Sequence, residues 1–148
     1  MTATAPTELA APPLAGYHHL GITVRDIDVS EEWYSRVLGF VRAFVEPHDN
    51  DTGYAVVLTR PGTGLFLGLD FHANADKQRF GAHRTGLDHL AFGLSTRAEL
   101  DRWVAHLDAL GVEHGAVIEA TQPVAFALIV FHDPDGIPLE LIWMGASA

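Results

Sequence analysis

Apolar and small or polar residues alternate along residues 18 to 24, with Leu20, Ile22 and Val24 on one side and His19, Gly21 and Thr23 on the other. That period of two predicts a half-buried strand. The period then changes. Trp33, Tyr34, Val37 and Leu38 recur at intervals of three and four, which predicts a helix that Asp26 or Asp28 caps and Gly39 ends. Three apolar stretches follow at about 40 to 46, 54 to 59 and 64 to 71, separated by loop compositions at 47 to 53 and 61 to 64. The first half therefore predicts a βαβββ unit.

The same order returns. Residues 87 to 94 predict a strand, and 97 to 110 a helix with Leu100, Trp103, Val104, Leu107 and Leu110 on one face and Gly111 as its stop. Strands are expected near 112 to 119, 124 to 131 and 137 to 143, with Asp133-Pro134-Asp135-Gly136 turning the chain before the last. His19-Leu20-Gly21-Ile22-Thr23-Val24 has its counterpart seventy positions later in His89-Leu90-Ala91-Phe92-Gly93-Leu94, and Trp33 and Trp103 are also seventy apart. The expected fold class is α+β: two tandem βαβββ modules, 17–75 and 87–145, in one structural domain. Residues 76–86 form the linker or lid. A sheet with one helix leaves its other face uncovered, so two modules, of one chain or of two, should form a curved, half-open mixed sheet around a central cleft.

Composition narrows the class of protein. The 148 residues are 48% hydrophobic and include no cysteine, so the core needs no disulfides and any transition-metal site must use imidazole and oxygen donors. The Ala-, Pro- and Thr-rich residues 1–16 lack a cationic start and a long apolar block, and are expected to be a disordered tail rather than an export signal. No apolar run reaches the about 18 residues of a membrane span, and a cytoplasmic location is expected. A formal charge of −10 opposes binding to phosphate backbones and excludes a nucleic-acid role. The acidity serves solubility, though it also suits a cationic ligand. Lys77, Arg79 and Arg84 are a local basic exception within the linker.

Strand parity points to chemistry. His19 and His89 fall on the face opposite the bulky residues, beside Gly21, Ala91 and Gly93, and Glu140 shares that inner face on the last strand, opposite Leu139, Leu141 and Trp143. Small neighbours imply room there. Two imidazoles and one carboxylate with open coordination positions suit a divalent Fe, Mn, Zn, Ni or Co ion. Asp70 is on the inner face of the fourth strand and is a candidate general base or displaced ligand. His72 follows on the same face but is expected beyond the strand. His18 has the wrong parity, and His48, His83, His106, His114 and His132 are expected in loops or on helix surface, as bystanders. Trp33 and Trp103 are expected to be helix-to-sheet core.

His19 with the Thr23-Val24-Arg25-Asp26 that follows, Trp33-Tyr34 leading to Leu38-Gly39-Phe40, Asp88-His89-Leu90-Ala91-Phe92 and the late Asp133-Pro134-Asp135-Gly136 with Leu139-Glu140-Leu141 resemble the vicinal oxygen chelate superfamily over about residues 17 to 144. That group includes glyoxalase I, extradiol dioxygenases, fosfomycin-resistance enzymes, methylmalonyl-CoA epimerase and bleomycin-binding proteins. The resemblance implies paired βαβββ modules, often in a homodimer, and a metal held by His19, His89 and Glu140. Where glyoxalase I carries a further glutamate this chain has Gly68, so the three-ligand arrangement of dioxygenases and fosfomycin-resistance transferases is the better match. Transferases similar to this chain carry threonine where Gly21 stands, which weakens antibiotic transfer as a reading. The expected function is a metal-dependent lyase, isomerase or dioxygenase acting on a small oxygenated substrate. The alternative is a bleomycin-resistance-like protein that sequesters a drug or metabolite without metal.

Overall fold

The computed structural model describes residues 11–145. It contains β1 (Leu20–Thr23), α1 (Ile27–Leu38), β2 (Val41–Pro47), a 3-10 turn (Asp49–Asp51), β3 (Gly53–Arg60) and β4 (Leu65–His72) in the first module. The second comprises β5 (Leu90–Leu94), α2 (Arg97–Ala109), β6 (Ile118–Ala120), β7 (Phe126–His132) and β8 (Pro138–Met144). Two four-stranded sheets result, ordered β1-β4-β3-β2 and β5-β8-β7-β6. In each, the first strand pairs in parallel with the last and the other pairs are antiparallel. The expected α+β duplication of βαβββ units is thus present.

Local chemistry sets the helix ends. Asp26 accepts a hydrogen bond from Val29 N at 3.1 Å, and Gly39 takes the left-handed conformation at φ 71°, closing α1 onto the Ser35 carbonyl. Thr96 and Glu99 form a reciprocal capping box at the start of α2. The strand expected at 112–119 is reduced to Ile118–Ala120 and a single bridge from His114 to Phe131. After Val112, which packs on the core, that stretch runs through Glu113-His114-Gly115, which offers no apolar side chain to hold it flat on the sheet. His132, expected in a loop, is the last residue of β7. Residues 76–86 carry no helix or strand, and Phe80 N donates to the Asp135 carbonyl at 3.1 Å. Of the expected tail, residues 1–10 lie outside the described residues and 11–16 carry no helix or strand.

The bulky faces of both sheets pack on the helices and merge into one core. Leu58, Leu69 and Val56 of the first sheet, Ile129, Phe131 and Leu139 of the second, and Tyr34, Leu100 and Leu107 of the helices are all buried. Contacts cross between modules: Trp33 stacks on Phe131 with ring centroids 6.2 Å apart, Phe40 meets Phe92 at 6.1 Å, and Arg60 lies 5.7 Å from the Trp103 ring. Both tryptophans therefore support the core, as expected. Polar groups follow the same seam, with Tyr34 donating to Asp133 at 3.1 Å, Arg25 paired with Asp135, and His106 Nε2 2.9 Å from the Val37 carbonyl. Burying the outer faces together leaves the inner faces open. Phe44, Phe66, Ile118 and Met144, all of inner-face parity, are 53%, 37%, 54% and 52% exposed. No helix among the described residues is long and apolar enough to cross a membrane.

Candidate metal site

His89 immediately precedes β5, and the parallel register that sets Ala91 opposite Glu140 carries the glutamate to the same end of the sheet. His89 Nε2 is 3.9 Å from Glu140 Oε2. On the other side of the ring, Nδ1 donates to Asp88 Oδ1 at 2.8 Å, which fixes the tautomer and leaves Nε2 as the free lone pair. The Asp88 hydrogen bond, and then the Glu140 charge, raise the His89 pKa above its ordinary value of 6.5.

His19 occupies the equivalent place before β1. Its Nδ1 lies 3.0 Å from His18 Nδ1, and the His18 ring stacks on Phe66. His18, set aside on parity, is thus a neighbour that orients His19 much as Asp88 orients His89. His19 and His89 border a common depression of about 470 Å³ that also touches Leu20, Leu87 and Leu90. Within one chain, however, His19, His89 and Glu140 do not bring three donor atoms within 4.8 Å of one another.

Among the described residues, the one set of three His, Asp or Glu donors that meets that distance is His48, Asp70 and His72. Asp70 Oδ1 accepts from His48 Nε2 at 2.9 Å, and the His48 and His72 rings stand 4.7 Å apart. The second carboxylate oxygen explains two glycines. A Cβ on Gly21 would lie 2.9 Å from Asp70 Oδ2, and one on Gly68 3.4 Å from it. The space that small residues were expected to leave is therefore filled on the first sheet by the Asp70 carboxylate. It is open at Gly93, where an added Cβ meets nothing within 4 Å.

The sequence pattern makes His48 a loop bystander and puts His72 past the strand. His72 is the last residue of β4, and its alternation with Gly68 and Asp70 was a usable signal. His48 had none, because only the closure of the β2–β3 turn brings it to Asp70. His83, His106, His114 and His132 do not join the set.

Two tandem βαβββ units with mixed sheets and inner-face histidines define a class in which a duplicated scaffold surrounds small-molecule sites. The chain belongs to the glyoxalase/bleomycin resistance protein/dioxygenase superfamily, whose model matches residues 16–141. It is 31% identical over 130 residues to the uncharacterized protein YwkD of Bacillus subtilis (strain 168), covering 86% of this chain and 96% of that one. It is also 30% identical over 128 residues to the uncharacterized protein YaeR of Escherichia coli (strain K12), covering 84% and 92%. A solved glyoxylase/bleomycin resistance protein/dioxygenase domain from Frankia sp. EAN1pec superposes with TM-score 0.78 at 30% identity, covering 90% of this chain and all of that one (100%). The fosfomycin resistance protein FosX of Listeria monocytogenes, at 19% identity over 87% of this chain and 91% of its own, shares the fold with TM-score 0.64.

Proposed function

We propose that this protein is a metal-dependent enzyme of the vicinal oxygen chelate type, acting on a small oxygenated molecule in a glyoxalase-like or dioxygenase-like reaction. His19, His89 and Glu140 would hold the ion. The observation that carries this reading is His89 itself, backed by a carboxylate on Nδ1 with Nε2 turned toward Glu140, the arrangement of a histidine set up to ligate. A divalent ion there supplies Lewis acidity toward substrate oxygen atoms.

The residues of the chain do the rest. Asp70 is held by His48 with one oxygen free on the inner face beside Gly21 and Gly68, where it can take a proton from a substrate carbon or hydroxyl. A second depression of about 470 Å³ on that face, bordered by His19, Phe44, Val57 and Asp70, gives an apolar seat to the rest of the molecule. Three ligands from one chain do not converge, and both sheets expose apolar inner faces. We therefore assign the complete site to a homodimer, with His19 from one protomer and His89 and Glu140 from the other.

Metal analysis of protein purified without chelator, then reloaded with Fe(II), Mn(II), Zn(II), Ni(II) or Co(II), tests the assignment. A bound ion lost in both His89→Ala and Glu140→Ala supports it, and Asp70→Asn is expected to retain that ion while losing turnover. An ion count unchanged in His89→Ala, together with tight uptake of a drug-like ligand by metal-free protein, would establish sequestration instead.

A further inference from the structure

We infer that His48, Asp70 and His72 form a second binding site for a Zn(II)-class ion, at the far end of β4 and separate from the His19, His89 and Glu140 set. Two imidazoles and one carboxylate with donor atoms within 4.8 Å of one another are a borderline-soft donor set. They favour Zn(II), Co(II) or Ni(II) over Ca(II) or Mg(II), which take oxygen ligands. Zinc–nitrogen distances of about 2.0–2.1 Å in a tetrahedron separate neighbouring donors by roughly 3.3 Å. The His48–Asp70 contact of 2.9 Å needs to open by only a few tenths of an ångström to admit the ion.

The backbone already holds the three residues together. His48 N donates to the Gly53 carbonyl at 2.9 Å, and Ala73 N donates to Thr52 O at 3.0 Å, so the β2–β3 turn is fastened to the end of β4. Gly53 pairs with His72, and its lack of a side chain is required: a Cβ would stand 1.9 Å from the Phe71 carbonyl oxygen and 3.0 Å from His48 Nδ1. The site is also reachable. His48 and Asp70 side chains are 19% and 22% exposed, and the adjoining turn carries two further carboxylates, Asp49 and Asp51.

A hydrogen bond that merely pins the turn would need His48 and Asp70 alone. It gives no role to His72, whose ring is drawn beside His48. An ion on Asp70 Oδ1 would leave Oδ2, the oxygen that faces Gly21 and Gly68, to the proton transfer proposed above. Because Asp70 serves both proposals, the test reads binding rather than turnover.

Full-length protein stripped of metal is titrated with Zn(II) by calorimetry, and with Co(II) followed by its ligand-field absorption. Two ions per protomer are expected. His48→Gln and His72→Gln, which preserve size and polarity, should each weaken one of them by at least about 10–100-fold, the loss that follows removal of a mere supporting group. The other ion should be lost in His89→Ala and be unaffected by either glutamine variant. Zn(II) should also raise the Tm of His89→Ala but not of His89→Ala/His72→Gln. If the wild type and both glutamine variants, checked for native circular dichroism, bind the same number of ions with the same affinity, the second site does not exist. That outcome leaves the His89-dependent ion untouched, whereas an ion count that His89→Ala does not change would sink only the functional proposal.

Discussion

Asp133 shows how much one side chain settles. Its Oδ1 accepts from the backbone N–H groups of Asp135 and Ile137 at 2.9 and 2.8 Å, shaping the turn before β8, while Oδ2 accepts from Tyr34 in the other module. Burial raises its pKa above the ordinary 3.8, and the hydrogen bonds from Ile137 and Tyr34 oppose that rise only in part. A carboxyl whose folded value is raised contributes its full stability below the unfolded value and loses it as pH climbs through the folded one. Asp133→Asn keeps an acceptor for the turn and does not ionise. Its stability relative to wild type should therefore improve as pH climbs from the unfolded value of about 4 through the raised folded one in urea melts, and a constant difference would refute the sign. Tyr34→Phe, which strands one carboxylate oxygen, should cost about 1–2 kcal/mol. The inner-face alternation of Gly68, Asp70 and His72 was legible at this scale. The occupation of the Gly21 and Gly68 space by a carboxylate was not, because it depends on two strands made adjacent by the sheet.

Among the elements, boundaries followed local chemistry wherever a cap existed. The helix expected to start at Asp26 or Asp28 is capped by Asp26, and Thr96 with Glu99 closes the start of α2. These caps are testable apart from function. Thr96→Ala should lower stability by about 1 kcal/mol, and Gly39→Ala by a similar amount, about 1 kcal/mol, since its φ of 71° strains any residue with a Cβ. Denaturant midpoints would read both, and an unchanged midpoint for Gly39→Ala would mean that α1 ends differently. Element prediction failed at 112–119, where strand formation is decided by β7 and the chain supplies no alternation of its own. It also failed to identify His48, whose position is a property of the β2–β3 turn.

For the whole molecule, both helices and both outer sheet faces share one core, so the inner faces cannot cover each other within that packing. β1 and β5 stand at the open edges of their sheets. Exposed apolar inner faces beside open edges are what a second copy would cover. The proposed homodimer makes a sharp prediction by complementation. His19→Ala and His89→Ala proteins, each without the His89-dependent ion, should recover about a quarter of the wild-type content when refolded together in equal amounts, because about half of the dimers are then heterodimers and each of these has one of its two composite sites intact. No recovery, in a mixture shown by native mass spectrometry to contain the heterodimer, would place the ligands within one chain.

The chain on its own determined the duplicated βαβββ pattern and the faces on which His19, His89, Glu140 and Asp70 lie, since periodicity is a local property. Tertiary structure alone decided which donors meet. It joined His48 to Asp70 and His72, turned the Asp70 carboxylate over two glycines, and kept His19 from closing on His89 and Glu140. Distances between strands of different modules follow from how helices and sheets share a core, and that packing is a sum over many contacts that no short stretch of residues encodes.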